Sequence, residues 1–285
     1  MIEPPAKPVL LGLLGAPIRH SAAPRMHEAA GAHCGIRVHY QLIEVAEASA
    51  ATLRMLLGSI RMIGFAGINV TFPYKEAVLP LLDSLDDTAR AVGAVNTITI
   101  RDGRLYGHNT DTTGFEKALR EEIARIGQGP VALIGAGGVG RAVGFALARL
   151  GIGEIRIVDR DTAKAESLAR DLSASCHAHA CADAESACDA AEGVVNATPV
   201  GMLPSTALPI PAKLLRQEQW VADVVYYPLV TPFLAAARAI GATTATGRAM
   251  TVHQAADAFQ HFTGIKPPLA PIQEAFDAVI AARAG

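Results

Sequence analysis

The chain has 285 residues, 51% of them hydrophobic and 18% charged, with a formal net charge of −2. That length suits two medium domains with substantial cores, and the near-neutral balance supplies no basic field for nucleic acid or an acidic membrane. No Lys/Arg cluster with interleaved aromatics occurs, so the expected partner is a small molecule, with no nucleic acid and no membrane. Residues 1–14 carry an apolar run too short to span a bilayer, and Pro4, Pro5 and Pro8 are unlike a signal peptide, which points to the cytoplasm. In that reducing compartment Cys34, Cys176, Cys181 and Cys188 are expected as free thiols.

Further along, short apolar runs alternate with helical stretches, and residues 9–14, 38–45, 65–70 and 94–100 read as strands. Asp102-Gly103 predicts a two-residue hairpin turn between 97–100 and 104–106. A helix is expected over about 112–125, after which Gly127-Gln128-Gly129-Pro130 breaks the pattern and makes a candidate domain boundary.

Val131-Ala132-Leu133-Ile134 then runs into Gly135-Ala136-Gly137-Gly138-Val139-Gly140. In a strand, glycine turn and helix of this kind, Gly135 permits the tight turn and Gly137 lets the backbone approach a pyrophosphate. Gly140 lets the helix pack closely on the sheet. The phosphates would sit on the helix N-terminus, where backbone N–H groups and the helix dipole favour an anion. Gly-rich turns also join strands to helices in proteins that bind no nucleotide. Here an apolar strand precedes the turn, Val143, Leu147 and Leu150 share a helix face behind it, and a second strand ends in Asp159 about 20 residues on. A carboxylate there accepts both ribose hydroxyls of an adenosine, which points to NAD as cofactor.

The remaining signals are a helix over 162–172, a short strand near His177, strands over 193–196 and 220–225, and a last strand near Thr243. That succession requires a doubly wound parallel sheet. Helices over 251–262 and 270–282 follow and would cross back to the first unit. The segment Cys176-His177-Ala178-His179-Ala180-Cys181 matches no zinc spacing and, as a strand, sends Cys176 and His177 to opposite faces, so no metal is expected.

Three polar segments carry candidate chemistry. In Asn69-Val70-Thr71-Phe72-Pro73-Tyr74-Lys75-Glu76, Pro73 fixes a turn that delivers Lys75 to the start of a helix, where the dipole opposes its charge and lowers its pKa. The competing reading is a solvated surface lysine. In Gly107-His108-Asn109-Thr110-Asp111-Thr112-Thr113-Gly114-Phe115, Asp111 is either a functional carboxylate or an N-cap, with Thr113 and Glu116 offering a competing capping box. Gln254, beside His253 in the returning helix, sits among alanines that leave room for a bound molecule.

Taken together these segments resemble the shikimate/quinate dehydrogenase family over nearly the whole chain. Gly15-Ala16-Pro17-Ile18-Arg19-His20-Ser21 is similar to its substrate loop, and residues 69–75 to its N-V-T-x-P-[FY]-K signature. Gly93-Ala94-Val95-Asn96-Thr97, Asn109-Thr110-Asp111, Asn196-Ala197-Thr198-Pro199 and Gln254-Ala255 resemble further signatures. The resemblance implies an α/β fold, a Rossmann doubly wound parallel sheet plus a second α/β substrate domain completed by the C-terminal helices. The expected domains are 1–111 for substrate, 112–250 for NAD, and 251–285 returning to the substrate domain. It implies Lys75 and Asp111 as the catalytic pair and Ser21, Asn69, Thr71, Asn96 and Gln254 as substrate ligands, with Tyr226 near the same pocket. Around the cofactor it implies Gly135, Ala136, Gly137, Gly138, Val139, Gly140, Asp159, Arg160, Thr198 and Val225, with Gly247 and Met250 beside the nicotinamide. The ring alcohol loses a hydride to nicotinamide and a proton to Lys75 or Asp111; which of the two is the base stays open.

Two departures from the family pattern stand out. Where the family loop carries a second serine or threonine, this chain has Ala23, which removes one hydroxyl contact to the substrate carboxylate, worth about 1.5–3 kcal/mol. Where NADP-using relatives carry Asn-Arg-Thr, this chain has Asp159-Arg160-Asp161, and Thr112 stands where many shikimate-specific members have glycine. The expectation is therefore an NAD-dependent quinate/shikimate dehydrogenase acting on a small hydroxylated ring acid, as monomer or homodimer. The alternatives are an NADP-linked shikimate-specific enzyme, an enzyme for amino-shikimate-like acids, and a nucleotide-sensing binding protein.

Overall fold

The computed structural model describes residues 7–284. Residues 1–6 and 285, to which the N-terminal reading and the outer limits of the expected domains extend, lie outside the described residues. One compact unit ends at Thr110 and resumes at Gln254, and the other is Asp111–His253. The Gly-Pro stretch 127–130, expected as a boundary, is internal to the second unit. The Glu192 carboxylate accepts the N–H groups of Gly127 at 2.7 Å and Gly129 at 2.9 Å, which fixes a stretch whose composition favours looseness.

The first unit opens with β1 (Val9–Gly15), α1 (Ala23–His33), β2 (Val38–Glu44), α2 (Ala50–Ile63) and β3 (Gly67–Val70). It continues through β4 (Ser84–Leu85), α3 (Asp87–Val92), β5 (Thr97–Arg101) and β6 (Arg104–His108). The sheet order is β2-β1-β3-β5-β6-β4, parallel from β2 to β3 and antiparallel where β5 meets β3 and β6. Local chemistry explains several limits. Ser49 Oγ accepts the Thr52 N–H at 3.1 Å to start α2, and Gly64 ends it at φ 91°. Asp102 and Gly103 both take positive φ, 50° and 72°, as the tight turn between β5 and β6 demands. Strand β5 starts at Thr97 rather than at residue 94, because Gly93 caps α3 at φ 67° and the Val95 N–H is given to the Lys75 carbonyl at 2.8 Å. Leu14, Leu53, Leu57, Ile68 and Ile98 fill one core, while Leu11, Leu13 and Tyr40 join Ala258 and Phe262 in another. Each large buried side chain contributes about 1.5–3 kcal/mol.

The second unit takes in α4 (Thr110–Glu122), β7 (Val131–Ile134), α5 (Gly138–Arg149), β8 (Glu154–Val158), α6 (Thr162–Leu172) and β9 (His177–Ala180). Then come α7 (Ala184–Cys188), β10 (Gly193–Asn196), β11 (Trp220–Asp223), α8 (Pro232–Ala239) and β12 (Thr243–Ala245). All six strands are parallel, in the order β12-β11-β10-β7-β8-β9. The order reverses between β7 and β10, the switch point of a doubly wound sheet, and both strands are buried throughout, as continuous apolar runs in a parallel sheet must be. Helix α9 (Gly247–Thr263) starts four residues earlier than the sequence pattern suggested, and α10 (Leu269–Ala284) packs against α1. Among the described residues no helix is long and apolar enough to cross a membrane.

Candidate active site

In the first unit the polar residues gather where β1 and β3 end and antiparallel β5 begins, since Leu14 pairs with Val70 and Asn69 with Thr97. The carboxyl edge of parallel strands is where open α/β sheets bind ligands. Lys75 is carried there by a series of turns, not by an α-helix as the sequence suggested. Val78 N–H reaches the Tyr74 carbonyl at 3.1 Å, but Pro80 has no N–H with which to extend the helix, and only a 3-10 turn, Leu79–Leu81, follows. No helix dipole therefore opposes the lysine charge. The turn is anchored on both sides of Lys75: Tyr74 is buried with its hydroxyl on the Val45 carbonyl at 2.8 Å, and the Lys75 carbonyl takes the Val95 N–H.

Asn69 is buried and nearly saturated. Its Nδ2 donates to the Asn96 carbonyl at 3.2 Å and to Thr97 Oγ1 at 3.0 Å, while its Oδ1 accepts the Tyr40 hydroxyl at 2.8 Å. Asn96 faces the start of α4: its Oδ1 accepts the Thr110 N–H at 2.8 Å and its Nδ2 donates to Thr110 Oγ1 at 2.9 Å. Asn109 Nδ2 adds a bond to the Ala94 carbonyl at 2.9 Å. This network of buried amides fixes the backbone of Thr110. Asp111 is itself buried and lies in the first turn of α4, one residue inside the helix, so it is not the N-cap of the competing reading. Ser21 Oγ accepts the Ala23 N–H at 3.2 Å, and Ala23 is the first residue of α1. Thr71 and Gln254 are half-buried in the same unit.

The second unit holds the glycine turn at its switch point. Gly135 has φ 105°, and an added Cβ would meet the Ala197 carbonyl oxygen at 2.9 Å. A Cβ on Gly140 would lie 2.1 Å from the Gly135 carbonyl oxygen, whereas one on Gly137 would meet nothing within 4 Å. Gly137 is the N-cap of α5 and provides no side-chain bond, so the first turn through Gly138 and Val139 has no side-chain cap. Asp159 closes the turn from the end of β8: its Oδ2 accepts the Ala136 N–H at 2.7 Å and its Oδ1 the Asp161 N–H at 2.8 Å. Each oxygen keeps a lone pair for a hydroxyl donor. Arg160 is exposed beside it.

Two loops face the turn across the switch point. Thr198 donates to Asn196 Oδ1 at 2.6 Å, and Asn196 Nδ2 donates to Asp223 Oδ1 at 2.9 Å. Asp223 also takes the Val225 N–H at 2.9 Å and the Thr231 hydroxyl at 2.7 Å. Burial pushes its carboxyl up to about 7 against these three donors. Gly247 lies against this loop, where a Cβ would meet the carbonyl oxygens of Val224 and Val225 at 2.6 Å; Met250 is buried one turn on, and Tyr226 is half-buried. Tyr40 and Asp223 were not singled out from sequence. An acid closing a third parallel strand was a readable sign of Asp223, but nothing local distinguishes Tyr40.

Known proteins resemble this chain in sequence and fold. The family profile for the shikimate dehydrogenase substrate binding domain matches residues 13–98, that of the ThiF family residues 109–203, and that of the shikimate 5'-dehydrogenase C-terminal domain residues 247–275. A quinate/shikimate dehydrogenase (NAD(+)) of Corynebacterium efficiens is 42% identical over 94% of this chain and 97% of its own length. A shikimate dehydrogenase (NADP(+)) of Streptomyces avermitilis is 41% identical over 90% and 91% respectively. Among solved structures, quinate dehydrogenase from Corynebacterium glutamicum in complex with NAD superposes with a TM-score of 0.88 at 40% identity, covering 95% of this chain and 99% of that one. With both sheets, the signature segments and these relatives in agreement, the chain belongs to the shikimate/quinate dehydrogenase family.

Proposed function

We infer that this chain is an NAD-dependent dehydrogenase interconverting quinate or shikimate with the corresponding 3-dehydro acid at the ring C3 hydroxyl. The observation that carries the reading is the 42% identity, over 94% of the chain, to an enzyme named for both acids and for NAD. Residues 1–111 and 251–285 are assigned to the substrate and 112–250 to the cofactor, in the cytoplasm. The glycine turn fits the cofactor's pyrophosphate: the space outside Gly137 is open and the first turn of α5 offers uncapped N–H groups. Asp159 suits an unmodified ribose, because Asp159 and Asp161 beside a 2′-phosphate would cost about 1–4 kcal/mol at roughly 4 Å.

Bound NAD would supply the hydride acceptor. The chain must then remove the hydroxyl proton and hold the ring, and Lys75 and Asp111 are assigned to the proton, with no choice made between them as base. Ser21, Asn69, Thr71, Asn96, Tyr226 and Gln254 supply directional hydrogen bonds to the ring acid. Position 23, a methyl in place of a hydroxyl, removes one contact to the carboxylate that quinate and shikimate share, so the choice between the ring acids is left to the assay. The test is a panel of quinate, shikimate and their amino analogues with NAD and NADP. NAD turnover with quinate or shikimate is expected, with kcat/KM higher for NAD than for NADP. A preference for NADP overturns the reading of Asp159, turnover confined to amino analogues moves the substrate, and cofactor binding without turnover replaces the enzyme by a sensor.

A further inference from the structure

The histidines of β9 were set aside because Cys176-His177-Ala178-His179-Ala180-Cys181 has no zinc spacing in sequence. Folded, the segment is an edge strand beside β8, in a register that pairs Glu154 with His177 and Arg156 with His179. Alternation puts His177 and His179 on one face together with Glu154, and Cys176 on the other, where it packs into the core beside Ala178 and Ala180. Cys181 packs into the opposite core, so apolar packing takes up both thiols.

Two imidazoles and one carboxylate remain. One ligand atom from each lies within 4.8 Å of the others, and the rings of His177 and His179 are 5.1 Å apart. His179 Nδ1 is shielded from solvent yet has no hydrogen-bond partner, and stands 4.0 Å from Glu154 Oε1, too far for a hydrogen bond. Around tetrahedral zinc, with bonds of about 2.0–2.2 Å, ligand atoms sit roughly 3.3–3.5 Å apart, so small side-chain rotations close the set, and His177 is exposed enough to make them. Arg156 Nε donates to Glu154 Oε1 at 2.8 Å, which orients the carboxyl. The other such cluster among the described residues, Asp86, His108 and His261, is already committed: His108 uses one nitrogen on Asp86 at 2.8 Å and the other on Thr99 at 3.1 Å.

We propose that Glu154, His177 and His179 form a surface site for a first-row divalent ion of the Zn2+ type, clamping edge strand β9 to β8. Glu154 begins β8 and Asp159 follows its end, about 16 Å away at the rise of a strand, so the ion's role is structural and separate from the chemistry. Two imidazoles with a carboxylate suit Zn2+ or Co2+ better than Ca2+ or Mg2+, which take oxygen ligands.

The experiment titrates untagged, chelator-treated full-length protein with ZnCl2 by calorimetry, and records the visible absorption of the CoCl2-loaded form. One Zn2+ per chain is expected. His177→Ala, His179→Ala and Glu154→Gln should each weaken binding by about tenfold or more, while kcat with NAD is retained and shows that the variants fold. His261→Ala should bind as the wild type does. Absence of Zn2+ uptake up to about 1 mM, equal uptake by the His177→Ala/His179→Ala double variant, or loss of uptake on His261→Ala would each overturn the site.

Discussion

Because Tyr74 and the Lys75 carbonyl anchor the turn, the side chain at position 75 can be removed without releasing the backbone. Lys75→Ala should therefore lower kcat by about 10²–10⁴ while KM for the ring acid changes little, measured by steady-state kinetics. An alanine variant with near-normal kcat would take Lys75 out of the chemistry. At the other end of the proposed substrate, Ala23→Ser restores a hydroxyl at the first position of α1. KM for quinate or shikimate should fall by up to about tenfold, the worth of one hydrogen bond to a charged group. A rise would mean a ligand shaped differently there. Proposed site residues of this kind could be named from the sequence because they lie in contiguous segments, Ser21 within 15–21 and Asn69 and Lys75 within 69–75. Tyr40 was not: its bond to Asn69 links residues 29 apart on strands separated by β1, a juxtaposition only the sheet order creates.

At the scale of elements, the Rossmann half follows its sequence pattern closely: α6 and β10 occupy the expected residues, and Gly135 and Gly140 stand where the backbone leaves no room for a Cβ, whereas Gly137 faces open space. The first unit was harder, and α1 shows why. Its N-cap is Ala22, which provides no side-chain bond, and Pro24 stands in its first turn, so it lacks the signal that Ser49 provides for α2. Lys75 misled for the opposite reason, since Pro73 at a helix start and Pro80 seven residues later are compatible with only one turn. The glycine turn permits a paired test. Gly140→Ala forces a methyl onto the Gly135 carbonyl and should lower Tm as well as raise KM for NAD tenfold or more, an overpacking cost of about 1–3 kcal/mol. Gly137→Ala, whose methyl meets no protein atom, should leave Tm in place yet still raise KM for NAD. An unchanged KM for the second variant would place the pyrophosphate elsewhere.

For the molecule as a whole, stability should depend on pH through two buried groups, His27 and Asp223. His27, buried in α1 and stacked on Tyr40 at 4.7 Å, is held to about 3 by desolvation. Between its unfolded value near 6.5 and 3, the unfolded chain binds a proton that the native one refuses. Stability is thus complete above about 6.5 and falls with pH below it, by up to about 1.4 kcal/mol per unit. Asp223 acts in the opposite sense: its raised value makes the native state lose stability as pH rises from about 4 to 7. His27→Phe keeps the stacked ring and removes the titration, so the difference between wild type and variant isolates His27. Denaturation at pH 7 and pH 5 should show the wild type losing about 2 kcal/mol more than the variant, and equal losses would show that His27 is protonated in the folded chain.

The saturated amide of Asn69 also bears on how a ring acid can lie. With both N–H groups spent on Asn96 and Thr97 and one lone pair taken by Tyr40, Asn69 has only an acceptor to offer. An acceptor welcomes a hydroxyl and repels a carboxylate. As a proposed ligand of the ring acid, Asn69 would thus work as a polarity filter, admitting the ring with its alcohol edge toward β3 and disfavouring the pose in which the acid group arrives first.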